Sequence, residues 1–218
     1  MLHELKTRWN DVMENDDHSV SNLSSKYMEM VDEIKNKVIP SFFEKENATI
    51  KELYDNAEQS DRSYLTRSMS FPQEKYNEYA TGMNAYVKKT IDKCCNEPPE
   101  AIKEELGNVK TKSNEFVSGL FSDVFNPTLE LPMCDALSCV ESVVDIYNRC
   151  DQFKENCSMM SDVMESCGNE DCKTRLSELF FATEGSYLLN YLESCMAMYD
   201  GIKNAYLNPV VEESVQVF

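Results

Sequence analysis

Glycine and histidine are scarce in this chain, and cysteine is absent from its first 93 residues. Six glycines in 218 residues fall below the usual ~7%. With only seven prolines as punctuation, this excludes a fold of many short strands and favours long helices. Two histidines, His3 and His18, both in the polar N-terminal stretch, leave a Ser-His-Asp or Cys-His arrangement almost nothing to be built from. No run of 18 or more apolar residues occurs, so no segment reads as a membrane span. There is no glycine-rich phosphate loop, and no segment supplies the alternating oxygen ligands, turn glycine and closing Glu of a calcium loop. No cofactor is expected.

Cations are scarce in the second half. Residues 113–218 hold 5 Lys+Arg against 18 Asp+Glu, a balance of −13, whereas residues 1–112 hold 16 against 21. An acidic field repels phosphate backbones and anionic lipid, so neither nucleic acid nor membrane is expected as a partner. Basic proteins, amines or peptides would be steered towards it. The overall charge of −18 also keeps a chain soluble and monomeric, and a monomer is expected. Met1-Leu2-His3-Glu4-Leu5-Lys6 has no apolar leader run; a secreted chain would have lost its signal peptide, leaving Met1 as an artefact of expression.

What is abundant is cysteine in the rest of the chain: Cys94, Cys95, Cys134, Cys139, Cys150, Cys157, Cys167, Cys172 and Cys195. This density reads as a disulfide framework and an extracellular destination. A chain of this length buries roughly 70% of its unfolded surface, so bridges would reinforce the fold rather than create it. Zinc prefers Cys-x-x-Cys knuckles or nearby histidine; the close pairs here are Cys134/Cys139 and Cys167/Cys172, with no histidine beyond His18, and no metal is expected. Nine is odd, so four bridges and one unpaired thiol are expected. Parity then requires Cys94 or Cys95 to bridge beyond Cys134, unless these neighbours pair with each other.

Apolar spacing follows the helical period throughout. Leu2, Leu5, Trp9 and Val12 make one stripe. Val20, Leu23, Tyr27, Val31, Ile34 and Val38 make the next, with Ser19 as N-cap. Phe42, Phe43, Ile50, Leu53 and Tyr54 follow, then Tyr76, Tyr79, Met83, Val87, Ile91 and Cys94. After Pro98-Pro99 come Ile102, Leu106, Val109, Phe116, Leu120 and Val124. Residues 126–133 read as an extended connector, 135–149 and 155–166 as two helices, and 171–206 as a last long helix. The expected fold is all-α, a disulfide-reinforced bundle of about seven to eight helices. It forms a single domain over 1–218, with Cys-poor helices in 1–125, acidic Cys-rich helices in 134–208 and a loose tail at 209–218.

Few residues suit catalysis. Cys94-Cys95 resembles the paired cysteines of secreted phospholipases, but Asn96-Glu97-Pro98 stands where those enzymes place a His-Asp pair. Asp32-Glu33, Glu104-Glu105 and Glu170-Asp171 are neighbours on helices, so they point apart as solvated faces. No enzyme is expected. Asn22-Leu-Ser, Asn47-Ala-Thr and Asn156-Cys-Ser are glycosylation acceptors in a secreted chain. Twelve methionines and 21 Tyr and Phe, with Met159, Met160, Met164, Met196 and Met198 crowding the Cys-rich half, suit ordinary core filling or an adaptable cavity.

The Cys-free helical N-terminal part, then Cys94-Cys95-Asn-Glu-Pro-Pro99 and Cys134-x4-Cys139-x10-Cys150-x6-Cys157-x9-Cys167-x4-Cys172-x22-Cys195, resembles the secreted all-helical salivary proteins of blood-feeding insects. The mosquito salivary families are meant, among them the neutrophil-stimulating type. The resemblance implies a secreted effector that binds a host protein or receptor and modulates immune or haemostatic responses during blood feeding. It transfers no functional residue. The alternative is a carrier that sequesters a hydrophobic or amine ligand in a helical cavity.

Overall fold

Ser19 begins the second helix as the stripe pattern predicts. Its hydroxyl accepts the Asn22 backbone N–H at 3.4 Å, and its own N–H and hydroxyl donate to the Asp17 carboxylate at 3.1 and 2.8 Å. Such a cap satisfies N–H groups that the first turn leaves without helical partners. In the computed structural model, which describes residues 1–56, 71–96 and 132–207, helix α1 spans Leu2–Asn15, α2 Val20–Glu33, α3 Ile39–Asn56, α4 Phe71–Asn96, α5 Pro132–Glu165 and α6 Glu170–Leu207. A π-helical turn, Ile34–Val38, joins α2 to α3 without a break. Among the described residues there is no strand, and the protein is all-α.

The expectation of seven to eight helices is not met: the described residues form five continuous rods. Two expected boundaries dissolve for physical reasons. Pro40 lacks an N–H and its ring crowds the carbonyl four residues back; the wider π turn ahead of it absorbs that mismatch, so the rod continues. In α5 the polar stretch after Cys150 holds no Gly or Pro. The buried stripe Ile146, Cys150, Phe153, Cys157, Met160, Met164 runs through it at alternating steps of four and three. The helices expected at 135–149 and 155–166 are therefore one. Pro132 sits at the first helical position, where a missing N–H costs nothing. The helix expected after Pro98-Pro99, the connector up to residue 131 and the tail at 209–218 lie outside the described residues.

Helices α5 and α6 form a long hairpin. Asn169 caps α6, its side chain accepting the Cys172 N–H at 3.1 Å, and Glu170 and Asp171 place negative charge at the positive end of the helix dipole. Helix α6 packs against α1, α2, α4 and α5, and the main core draws on all five. A smaller cluster of Leu53, Ala136, Leu137, Cys139, Val140 and Tyr199 joins α3 to α5 and α6. Helix α1 reaches α6 through Trp9, 3% exposed, whose indole lies over Gly185. A Cβ at residue 185 would sit 2.2 Å from that ring, so only glycine permits this approach. Trp9, Tyr27 and Phe181 then run from α1 through α2 to α6, the first pair edge to face at 6.1 Å between centroids and the second tilted at 6.0 Å.

Candidate functional site

The cysteines whose side chains are described are core residues. Cys150, Cys157 and Cys195 are buried free thiols. They sit on the inward faces of α5 and α6, where the Cys150 thiol donates to the Ile146 carbonyl at 3.3 Å and Cys157 meets the Ser24 hydroxyl at 3.4 Å. Burial pushes the Cys150 thiol up to about 12. It also raises Cys157 and lifts Cys195 well above its ordinary value. Burial thus favours the thiol over the thiolate that nucleophilic chemistry requires. Cys172 is disulfide-bonded, Cys139 and Cys167 are buried, and the side chains of Cys94, Cys95 and Cys134 lie outside the described residues. With three thiols free, six cysteines remain for at most three bridges. The expected four bridges and one unpaired cysteine are corrected accordingly: helix packing turns these thiols towards apolar and hydroxyl neighbours such as Ser24, where cysteine acts as a small hydrophobe.

Several polar groups lie inside the bundle. The Ser142 hydroxyl donates back to the Ser138 carbonyl of the same helix at 2.9 Å. Arg149 donates to Asp145 at 2.7 Å with its side chain 7% exposed. Tyr187 and Tyr191 stack at 5.8 Å. His3 is exposed, while His18 is held against α6 by Glu178 at 2.7 Å.

The smaller cluster carries a buried ion pair that sequence reading missed. Glu46 on α3 meets Lys203 of α6 at 3.0 Å, with side chains 4% and 15% exposed. Tyr199 donates to the same carboxylate at 3.2 Å, Lys45 approaches its other oxygen at 3.1 Å, and Asp200 holds Lys203 at 2.9 Å. Burial pushes the Glu46 carboxyl up, but the two lysines outweigh it and hold the carboxyl below its usual value. Nearby, the Tyr54 hydroxyl donates to Glu141, and burial followed by that carboxylate raises the phenol. One signal was readable: Glu46 lies three and four residues from Phe42, Phe43 and Ile50, on the apolar side of its helix.

Much of the acidity is spent inside the molecule. Lysines of the N-terminal half reach carboxylates of the other half, Lys6 to Glu193 at 2.6 Å and Lys35 to Asp151 at 2.8 Å. Glu165 pairs with Lys173 at 3.1 Å, and Glu141, Asp145 and Glu178 are engaged as described. One side of α5 carries the exposed residues Tyr147, Asp151, Glu155, Met159 and Asp162; of these, Asp151 is paired with Lys35, whose ammonium also lies 5.9 Å from the Tyr147 ring centre. Steps of three and four hold them within one side of the helix. Tyr147 at 41% and Met159 at 45% are large apolar side chains in the open.

Between α1 and α2 runs an open groove of ≈ 160 Å³, floored by Leu5, Trp9, Val12 and Met30 and rimmed by Arg8 and Glu33, which pair at 2.7 Å. It is smaller than the ~300–1,000 Å³ of typical ligand sites. Among the described residues no group of three or more His, Cys, Asp or Glu is placed to hold a metal ion, and no helix is long and apolar enough to cross a membrane. The acceptor asparagines differ. Asn22 is half-buried with its amide donating to the Asp17 carbonyl at 2.6 Å, Asn47 is exposed, and Asn156 accepts from Asn84 of α4 at 2.8 Å. No family model, curated protein or solved structure matches this chain.

Proposed function

We propose that this is a secreted, non-enzymatic effector that acts by protein–protein binding and modulates host immune or haemostatic responses during blood feeding. The observation that carries the reading is the outward face of α5, with exposed Tyr147 and Met159 set beside the exposed carboxylates Glu155 and Asp162, Asp151 between them being paired with Lys35. Apolar anchors set among charge of one sign are how a helix engages a complementary partner. The partner is a basic host protein or receptor, steered by the surplus of carboxylates. The pairing of His18 with Glu178 and the burial that favours the protonated form of Cys150 support the non-enzymatic reading. Protonated, buried thiols also exchange slowly, so they are compatible with an oxidising compartment.

Association with basic host plasma proteins, followed kinetically from ~0.05 to ~0.5 M salt, tests this. The on-rate is expected to fall as salt rises. The charge-reversing pair Glu155→Lys and Asp162→Lys is expected to lower the on-rate far more than it raises the off-rate, and Met159→Ala to raise the off-rate. An on-rate flat in salt and unmoved by the reversals would remove this face from the function.

A further inference from the structure

Once folded, the glycosylation acceptors are not equivalent. Asn47 stands on α3 with its side chain exposed, and Ala48 beside it is exposed as well. Asn156 is half-buried at the contact of α4 with α5, where its carbonyl oxygen accepts the Asn84 amide at 2.8 Å. Its neighbour Cys157 is 1% exposed. A sugar on the Asn156 amide would have to leave through a helix–helix contact, whereas Asn47 is exposed among the described residues.

We propose that Asn47 carries an N-linked glycan and that Asn156 stays bare. The inference rests on the secreted reading, because the donor, a lipid-pyrophosphate oligosaccharide, is met only on entry to the secretory pathway. The Asn47 amide nitrogen attacks the first sugar carbon and gives up one proton to a base of the transferase. The bond from that carbon to the pyrophosphate oxygen breaks, and its electron pair departs with the lipid pyrophosphate. Thr49 completes the Asn-x-Thr signal that the transferase reads on the extended chain, before α3 forms. Folding then decides which modified chains reach the native, secreted fraction: the exposed side of α3 accepts a bulky hydrophilic group, whereas a chain modified at Asn156 would have to part the α4–α5 contact and is lost from that fraction.

The test is the full chain behind a heterologous secretion leader in insect cells, in an Asn22→Gln background, weighed intact before and after peptide N-glycosidase treatment. The secreted protein should carry one glycan, lost in Asn47→Gln and in Thr49→Ala and retained in Asn156→Gln. Two removal variants guard against a folding defect in either. A bare Asn47, or sugar on Asn156, in secreted protein with native helix content overturns the proposal. The leader forces entry, so that result counts against the site alone. Cytosolic retention of the protein in the tissue that makes it would instead count against the secreted reading.

Discussion

The N-terminal hairpin, α1 with α2, and the C-terminal hairpin, α5 with α6, are both built from helices joined by four residues, yet they solve burial differently. Helix α1 buries only Leu5 and Trp9, and α2 buries one stripe from Val20 to Val31; the remaining faces are polar. Helix α6 is surrounded by four other helices. Its buried residues, such as Phe180, Glu184, Leu188, Leu189 and Cys195, point to several sides. The outer hairpin can afford charge on most of its surface. The central one also encloses polar groups, among them the Arg149–Asp145 pair and the Ser142 hydroxyl bonded to the Ser138 carbonyl. Position in the bundle, more than helix length, sets how plainly a sequence displays its inward face.

The joint between the two hairpins offers the sharpest way to break that contrast. Trp9→Ala should cost about 3–5 kcal/mol, the usual range for removing a buried large aromatic. Gly185→Ala should cost about 1–3 kcal/mol through overpacking against the indole. The double variant should cost less than the sum of the two, since the new methyl enters the space the ring vacates. Urea unfolding followed by circular dichroism measures all three; strict additivity would mean that Trp9 and Gly185 do not act as one contact.

A second contrast is electrostatic, the exposed pairs of the outer helices against the buried pair of the smaller cluster. Glu46→Gln should cost about 1–3 kcal/mol, because Lys203 keeps Asp200 but loses its buried partner. Lys35→Met, at an exposed and solvent-screened pair, should cost far less than that. The Glu46 carboxyl is held low in the folded state. Its contribution is therefore complete above the unfolded value near ~4.3 and is lost as pH falls through the lower, folded value. Stability curves of wild type and Glu46→Gln should converge through that acidic window, and a constant gap would assign the loss to packing rather than charge.

The smallest expected effect concerns cysteine as a core residue. Cys150→Ala should cost about 1 kcal/mol, comparable to one buried methylene, and Cys150→Ser should cost more by burying a stronger hydroxyl. In wild type, alkylation at Cys150 should require unfolding. Ready labelling of the native protein at that thiol would contradict its burial and its raised pKa.

Much of this architecture is legible from spacing alone. The Ser19 cap, the all-α class and a final helix at 171–206, observed as Glu170–Leu207, follow from apolar period and scarce breakers. The join at Cys150–Lys154 was missed because Asp151, Gln152 and Lys154 look like a loop when Phe153 is not counted with the stripe. The bridge count was missed because a cysteine's fate depends on what faces it. Cys157 faces Ser24 from 133 positions away, and no local pattern encodes such a meeting. The Glu46–Lys203 pair was hidden for the same reason, with 157 positions between its members. The outward face of α5 could be seen only once α5 was known to be one helix.

The π turn at Ile34–Val38 works as a phase adjuster. Each residue advances a helix by about 100°, so an extra residue in one turn rotates everything beyond it relative to what came before. Upstream, Leu23, Tyr27 and Met30 address the main core; downstream, Leu53 addresses the smaller cluster, with Phe42 and Phe43 packed against both. One rod therefore serves two cores by slipping angularly between them, and its sequence is read in two frames. A one-residue insertion or deletion between Ile34 and Pro40 would leave every side chain of α3 intact and aim all of them wrongly. Glu46 would then swing out of reach of Lys203 without itself having changed.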